Sequence, residues 1–347
     1  MIYRENHHPM KSIFKNIGVI LLSVAMIMSS TLPTFAQSRQ FSIGTGFVGS
    51  SMHALGTVMA KHMQRNLRMR VTARPYVGPS AFMPLINAGE VTMGLSSMGE
   101  SNSSYLGLET EPMKDIRTIG RIVAMPFAFV VRKDSGIKTI ADLKGKKVVL
   151  DFAAAGALTK MSQTMLDGAG LRREDVEVVT VSGVGQGIEA VVEGNADAAP
   201  GSVSMAAVRK ANATAGITIL SLEKEGFEER LSQSAYSEIR PFVLGADSYP
   251  GVETETRIFA LDIYIVVPKS LSDQDVVKIL DVLHANWDDI GKDYNNLTNF
   301  SPADLVHETQ TVPYHKAAIE YFKSGKGLAK WDEAAEMRNQ KLLEVWN

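Results

Sequence analysis

The chain contains no cysteine among its 347 residues. Disulfide staples, thiolate nucleophiles and cysteine-built zinc sites are therefore excluded. It also lacks an excess of either charge: 36 Lys plus Arg stand against 38 Asp plus Glu. No basic field invites nucleic acid. Beyond residue 36 no apolar stretch reaches the roughly 18–20 residues that a membrane-spanning helix needs. Metal and nucleotide signatures are missing too. His53, His62, His284, His307 and His315 have no H-E-x-x-H spacing, and there is no Walker glycine-lysine-serine or -threonine. Gly78-Pro79-Ser80-Ala81-Phe82 fails the nucleophile elbow, because Phe82 stands where glycine is required. No cofactor, no resident metal and no enzymatic activity are expected.

What is present is an ordinary globular composition, 45% apolar and 21% charged. The length fits two lobes of normal size better than one compact domain. The first 36 residues read as an export signal. Lys11 and Lys15 supply positive charge, Ile17 to Met28 form an apolar run, and Pro33 breaks it. Thr34-Phe35-Ala36 then places small residues where a signal peptidase requires them, so cleavage is expected near Ala36, before Gln37. An uncleaved anchor is the alternative. Both Met1 and Met10 stand as possible starts. The expected location is the periplasm.

From Phe41 onward, short buried strands alternate with helical patterns. FSIGTG reads as a strand ending in a glycine turn, and Ser50 to Leu67 as a helix with Met52, Leu55, Met59 and Met63 on one face. MRVTARPYVG is a strand, Ser80 to Gly89 a helix and VTMGLSS a strand. IRTIGRIVAMPFAFVVRKDSG then runs long and β-prone, interrupted by Pro126. The same grammar restarts with the strand VVLDF, the turn AAAGAL and a helix from Thr159 to Gly168. VEVVTV is a strand, GQGIEAVVEGNADAA a helix with its strand, and PGSVSMAAVRKAN a turn and helix. ETRIFALDIYIVVPKS forms a second long β-prone return, and amphipathic helices close the chain. Strand–helix alternation implies mostly parallel sheets. The expected fold is α/β: a two-lobed periplasmic-binding-protein fold of type II, each lobe a mostly parallel sheet flanked by helices. Lobe I is expected to take 37–127 plus 262–347, and lobe II 128–261. Two hinge crossings, at Met125 to Ala128 and Arg257 to Asp262, join them. A ligand belongs beyond the carboxyl ends of the strands, between the lobes.

Gly44-Thr45-Gly46-Phe47-Val48-Gly49 matches G-x-G-x-x-G. The second strand ends in Arg74-Pro75-Tyr76, without the acidic residue that holds a ribose, and the motif follows directly on an export signal. Dinucleotide binding is set aside. The turn still offers free N–H groups and the positive end of a helix dipole to an anion. Ser50 serves either as the helix cap or as a ligand contact, and Ser51 adds a second hydroxyl. Arg74, Arg121, Arg132 and Arg240 are candidate partners for a carboxylate. Phe47, Tyr76 and Phe127 are candidate walls, Tyr76 foremost for its hydroxyl at a strand end.

Several segments in order resemble the TAXI family, the extracytoplasmic solute-binding proteins associated with TRAP transporters. They are GTGFVGSSMHALG, VGPSAFMPLINAGEVTMGLSS, VVRKDSGIKTIADLKGKKVVL, EAVVEGNADAAPGSVS, DSYPGVETETRIFALDIYIVV and VPYHKAAIEYFKSGKG. The resemblance implies a monomer that captures a small organic acid or amino acid and hands it to the membrane permease subunits of a TRAP transporter. Carried over by position, the ligand-facing turns are Gly46 with Ser50 and Ser51, Gly78 with Ser80, and Ser96 with Ser97. In the second lobe they are Gly156 to Thr159 and Pro200 to Ser202. The sequence departs from the family pattern at Ala153 to Leu158, where methyls replace the usual hydroxyls. Its second anion cradle is therefore less polar. The alternatives are the receptor of an ATP-driven (ABC) importer for a sulfonate, nitrate or pyrimidine-like solute, and an exported enzyme on the same fold.

Overall fold

The computed structural model describes Met1 and residues 40–108, 110–153, 156–222, 226–232 and 240–346. The export signal read at residues 1–36, Ala154 and Ala155, and the side chain of Arg240 lie outside the described residues. In the first lobe β1 (Gln40–Thr45) leads into α1 (Ser51–Leu67), then come β2 (Arg70–Pro75), α2 (Pro79–Asn87), β3 (Met93–Ser97) and α3 (Met98–Leu106). β1 lies between β2 and β3 and is parallel to both. Gly44 and Gly94 let α2 sit flat on these strands: a Cβ at either would come within 2.8 and 2.4 Å of the Phe82 ring. The sequence pattern gives no sign of α3, whose Ser101-Asn102-Ser103-Ser104 run favours caps and turns over helix interiors. It forms because Ser97 caps it, accepting from the Glu100 N–H, and because Gly107 closes it in the left-handed region at φ 71°.

β4 (Ile116–Arg132) is one strand of 17 residues and runs through Pro126 without a break. The second lobe follows as β5 (Lys147–Phe152), α4 (Gly156–Gly168), β6 (Glu177–Val181), α5 (Val184–Glu193), β7 (Ala198–Ser202), α6 (Ala206–Ala215), β8 (Ile217–Ile219), α7 (Phe227–Ser232) and β9 (Arg240–Leu244). Pro200, expected in a turn, lies inside β7. β7 meets β5 only at Ala198, so past that residue one edge of the strand makes no ladder and tolerates proline. β10 (Thr256–Pro268) crosses back, and α8 (Asp273–Ala285), α9 (Trp287–Asp293), α10 (Lys316–Lys323) and α11 (Glu333–Glu344) complete the chain.

The strand order is β2-β1-β3-β10-β4-β7-β5-β6, with β8 on β4 and β9 on β10. β4 and β10 pair antiparallel from Ile116↔Pro268 to Phe127↔Phe259. On either side of this ribbon the partners change. β10 pairs with β9 over Thr256–Ala260 and with β3 over Ile263–Ser97 to Val266–Gly94. β4 takes up β7 from Phe127 onward. Two parallel strand sets, each covered by helices, thus hang from one shared ribbon. This is the α/β type II binding-protein architecture. Apolar residues of α1 and α8 pack on the first lobe's sheet, and those of α5 and α6 on the second's.

A candidate solute site between the lobes

The ribbon has two faces, and side chains alternate between them. Met125, Phe127, Leu261 and Ile263 point to one side and floor a cleft that encloses about 720 Å³, its open mouth included. Six helices present a first turn or a cap to this space: α1 at Ser50–Met52, α2 at Gly78 and Pro79, α3 at Ser97 and Glu100, α4 at Leu158, α5 at Val184 and α6 at Met205. Helix starts carry unpaired N–H groups and partial positive charge. Among the described residues no lysine or arginine lines the cleft, and Glu100 is the charged side chain that does. The walls are otherwise apolar: Phe47 and Val77 on the first lobe, Leu158, Val184 and Met205 on the second.

Of the residues expected at the site, Gly46, Ser50, Ser51, Gly78, Ser97 and Ser202 line this cleft. Ser50 is the cap of α1, its Oγ accepting from the His53 N–H at 3.1 Å. Gly46 has no room for a side chain, since a Cβ there would stand 2.8 Å from that Oγ. Five others lie off the lining, and the surroundings of Gly156 are outside the described residues. Tyr76 packs on Phe82 at 5.6 Å between ring centroids. Ser80 is exposed. Ser96 is fully buried and accepts from Ser101 at 3.0 Å. Thr159 turns back to its own strand, accepting from the Phe152 N–H at 3.0 Å. Gly156 begins α4, and Pro200 is buried in β7 opposite Phe129. Phe47 and Phe127, read as candidate walls, do line the cleft. Glu100, Val77 and Met205 were missed. The signal for Glu100 was its place three residues after the capping serine.

Two of the candidate arginines are engaged away from the cleft. Arg132 grips Asp134 at 2.7 and 2.9 Å and the Val192 carbonyl at 3.1 Å. Arg121 is on the ribbon's other face, bound to Asp262 at 2.7 Å and to Asp304 at 3.3 Å. Arg74 is exposed. His53 shares a 2.9 Å hydrogen bond with Thr45. Among the described residues no cluster of histidine and carboxylates is arranged to hold a metal, and no helix is long and apolar enough to cross a membrane.

Two polar contacts made by Ser51 span the lobes at the cleft. Ser51 Oγ, from the first lobe, lies 3.2 Å from Ser202 Oγ and 2.8 Å from Ser204 Oγ, both from the second. Ser202 and Ser204 are 3.0 Å apart, which closes a triangle of hydroxyls. Ser51 and Ser202 are almost fully buried.

A two-lobed binding-protein fold with a cleft at its strand ends defines the class. The chain matches the NMT1-like family over residues 43–325 and belongs to it. Among solved structures it is similar to MatC from Rhodopseudomonas palustris with bound malate, at a TM-score of 0.53 and 12% identity, covering 91% of this chain and 100% of that one. It also resembles the periplasmic aliphatic sulphonate binding protein SsuA from Escherichia coli, at a TM-score of 0.49 and 14% identity over 89% of this chain and 91% of that one. A putative thiamine biosynthesis protein of Haemophilus influenzae is 27% identical over 161 residues, 46% of this chain and 49% of the relative. The chain therefore spans about half the length of that curated relative.

Proposed function

We propose that this chain is a periplasmic solute-binding protein that captures a small organic anion and delivers it to a TRAP-type permease, as the resemblance to the TAXI family suggests. The solute class is a monocarboxylate, amino-acid-like or simple, with an apolar body. One observation carries this reading: helix starts from both lobes converge on walls that, among the described residues, are almost wholly apolar. Backbone N–H groups and the serine hydroxyls serve one anionic head. Leu158, Val184 and Met205 suit a hydrocarbon body. Capture fits better than turnover, because Ser51 is engaged by two other serines and His53 by Thr45, so neither forms a nucleophile–base pair.

The test is a thermal-shift screen of matched acids, hexanoate against adipate and leucine against glutamate, confirmed by calorimetry and extended to malate. Monocarboxylates are expected to bind more tightly than their dicarboxylate partners, because the apolar walls offer a second charge no partner. Consistently tighter dicarboxylates refute the charge assignment. The same screen includes a pyrimidine, because the Haemophilus relative is named for thiamine biosynthesis. A pyrimidine that binds where the acids do not moves the chain to the ATP-driven receptor alternative.

A further inference from the structure

The serine triangle is the end of a longer polar seam. Ser204 Oγ meets Ser51 and Ser202, and its carbonyl accepts from the Arg209 guanidinium. Beside it stands Tyr294, a first-lobe residue directly after α9. Burial pushes the Tyr294 phenol up to about 12, and its hydroxyl lies near Ser204 and Asn296 without reaching hydrogen-bond geometry with either. Asn296 accepts from the hydroxyl of Tyr249 at 2.6 Å, and Tyr249 belongs to the second lobe's loop after β9. The amide of Asn296 donates to the Ala124 carbonyl on the ribbon at 3.3 Å. Ser51, Tyr294 and Asn296 thus alternate with Ser202, Ser204 and Tyr249 from one lobe to the other.

We propose that this seam is a built-in clasp that closes the lobes on one another, and that Ser204 is its positioning residue, aiming the Ser51 and Ser202 hydroxyls at the solute. This rests on the reading of the cleft as a solute site. Its first half needs no solute, because every bond in the triangle joins protein atoms. Ser204 is absent from the cleft lining, whereas Ser51 and Ser202 are part of it. Each serine has one hydroxyl hydrogen. When an anion accepts from Ser51 and Ser202, both hydrogens turn to it. Ser204 then donates to Ser51, the nearer oxygen at 2.8 Å, and polarises that hydroxyl toward the anion. Without Ser204 the two rotors lose this bias, and the lobes lose one of their cross-links. The unmet Tyr294 hydroxyl marks where a slightly tighter closure adds a further bond.

The experiment compares Ser204→Ala and Ser204→Thr with the parent. The chain has no cysteine. Spin labels on Gln274→Cys in α8 and Lys210→Cys in α6 therefore report the distance between lobes without background. In protein stripped of solute, Ser204→Ala is expected to lower the closed-to-open ratio about five- to tenfold, and Ser204→Thr to restore it. With a bound carboxylate from the screen, Ser204→Ala is expected to weaken affinity by at least that factor. An unchanged distance distribution in stripped Ser204→Ala overturns the clasp, whichever solute the screen returns. A failed screen with an altered distribution overturns the solute assignment and leaves the clasp standing. Failure of threonine to rescue either readout overturns the positioning role.

Discussion

Replacing Asp262 by alanine leaves a guanidinium stranded on the back of the ribbon. Arg121 and Asp262 are only 7% exposed each, and their Nη1–Oδ1 distance is 2.7 Å. The Thr309 hydroxyl donates to the other Asp262 oxygen, and Arg121 lies over the Phe300 ring at 5.3 Å from its centroid. Removing one member of a buried pair costs about 3–5 kcal/mol, because the remaining charge has lost its partner but stays out of water. Here Arg121 keeps Asp304 at 3.3 Å, a carboxylate 36% exposed, which offsets part of the loss. The expected cost of Asp262→Ala is therefore near the lower end, about 3 kcal/mol. Urea unfolding followed by circular dichroism measures it as a shift of midpoint at constant slope. The double variant Arg121→Met with Asp262→Leu removes both charges and keeps the volume, so it is expected to come within about 1 kcal/mol of the parent. A single variant that costs under about 1 kcal/mol, or a double variant as unstable as the single, refutes the claim that desolvated charge governs this spot.

Two further outcomes are expected. Glu336 accepts from Trp331 at 2.7 Å and Gln340 at 2.9 Å and pairs with Lys323 at 3.1 Å, which together hold its carboxyl at about 2 instead of 4.5. A depressed folded value adds stability above the unfolded value and loses it as pH falls from about 4.5 through about 2. Glu336→Gln should thus melt below the parent at pH 7, with a gap that closes on acidification; a gap independent of pH rules this out. N-terminal sequencing of exported protein should start within a few residues of Gln37, and a start at Met1 or Met10 removes the cleaved signal.

The architecture was legible because it depends on period and punctuation. The strand–glycine–helix units around Gly46 and Gly78 and the two long β-prone runs are local patterns, and the backbone can satisfy them in few ways. Pro126 shows the limit of that logic. In the sequence it looks like a break, yet the strand continues, because the carbonyl of Pro126 still accepts from the Val203 N–H where β4 begins to pair with β7. The site was legible only in part. A turn that opens a helix places its first serines at the strand ends, which is why Ser50, Ser51 and Ser97 line the cleft. It does not say where a side chain one turn further will point. Thr159 and Ser80 sit in the right turns and face away, one bonded to Phe152 and the other in solvent.

Long-range pairing explains the rest. Arg121 and Met125 are four residues apart on one strand, and alternation alone would put them on the same face. The register between β10 and β4 shifts after Ile263, where Ile263 faces Val123 and Tyr264 faces Arg121, with Ile122 skipped. That bulge reverses the side on which Arg121 emerges. It carries the arginine away from the cleft and into its pair with Asp262, leaving Met125, Phe127, Leu261 and Ile263 as an apolar floor. A regular register would have aimed a guanidinium into the cleft. One extra residue in one strand therefore keeps a guanidinium off the cleft floor. No sequence period reports it, because the shift exists only in the pairing of strands about 140 residues apart.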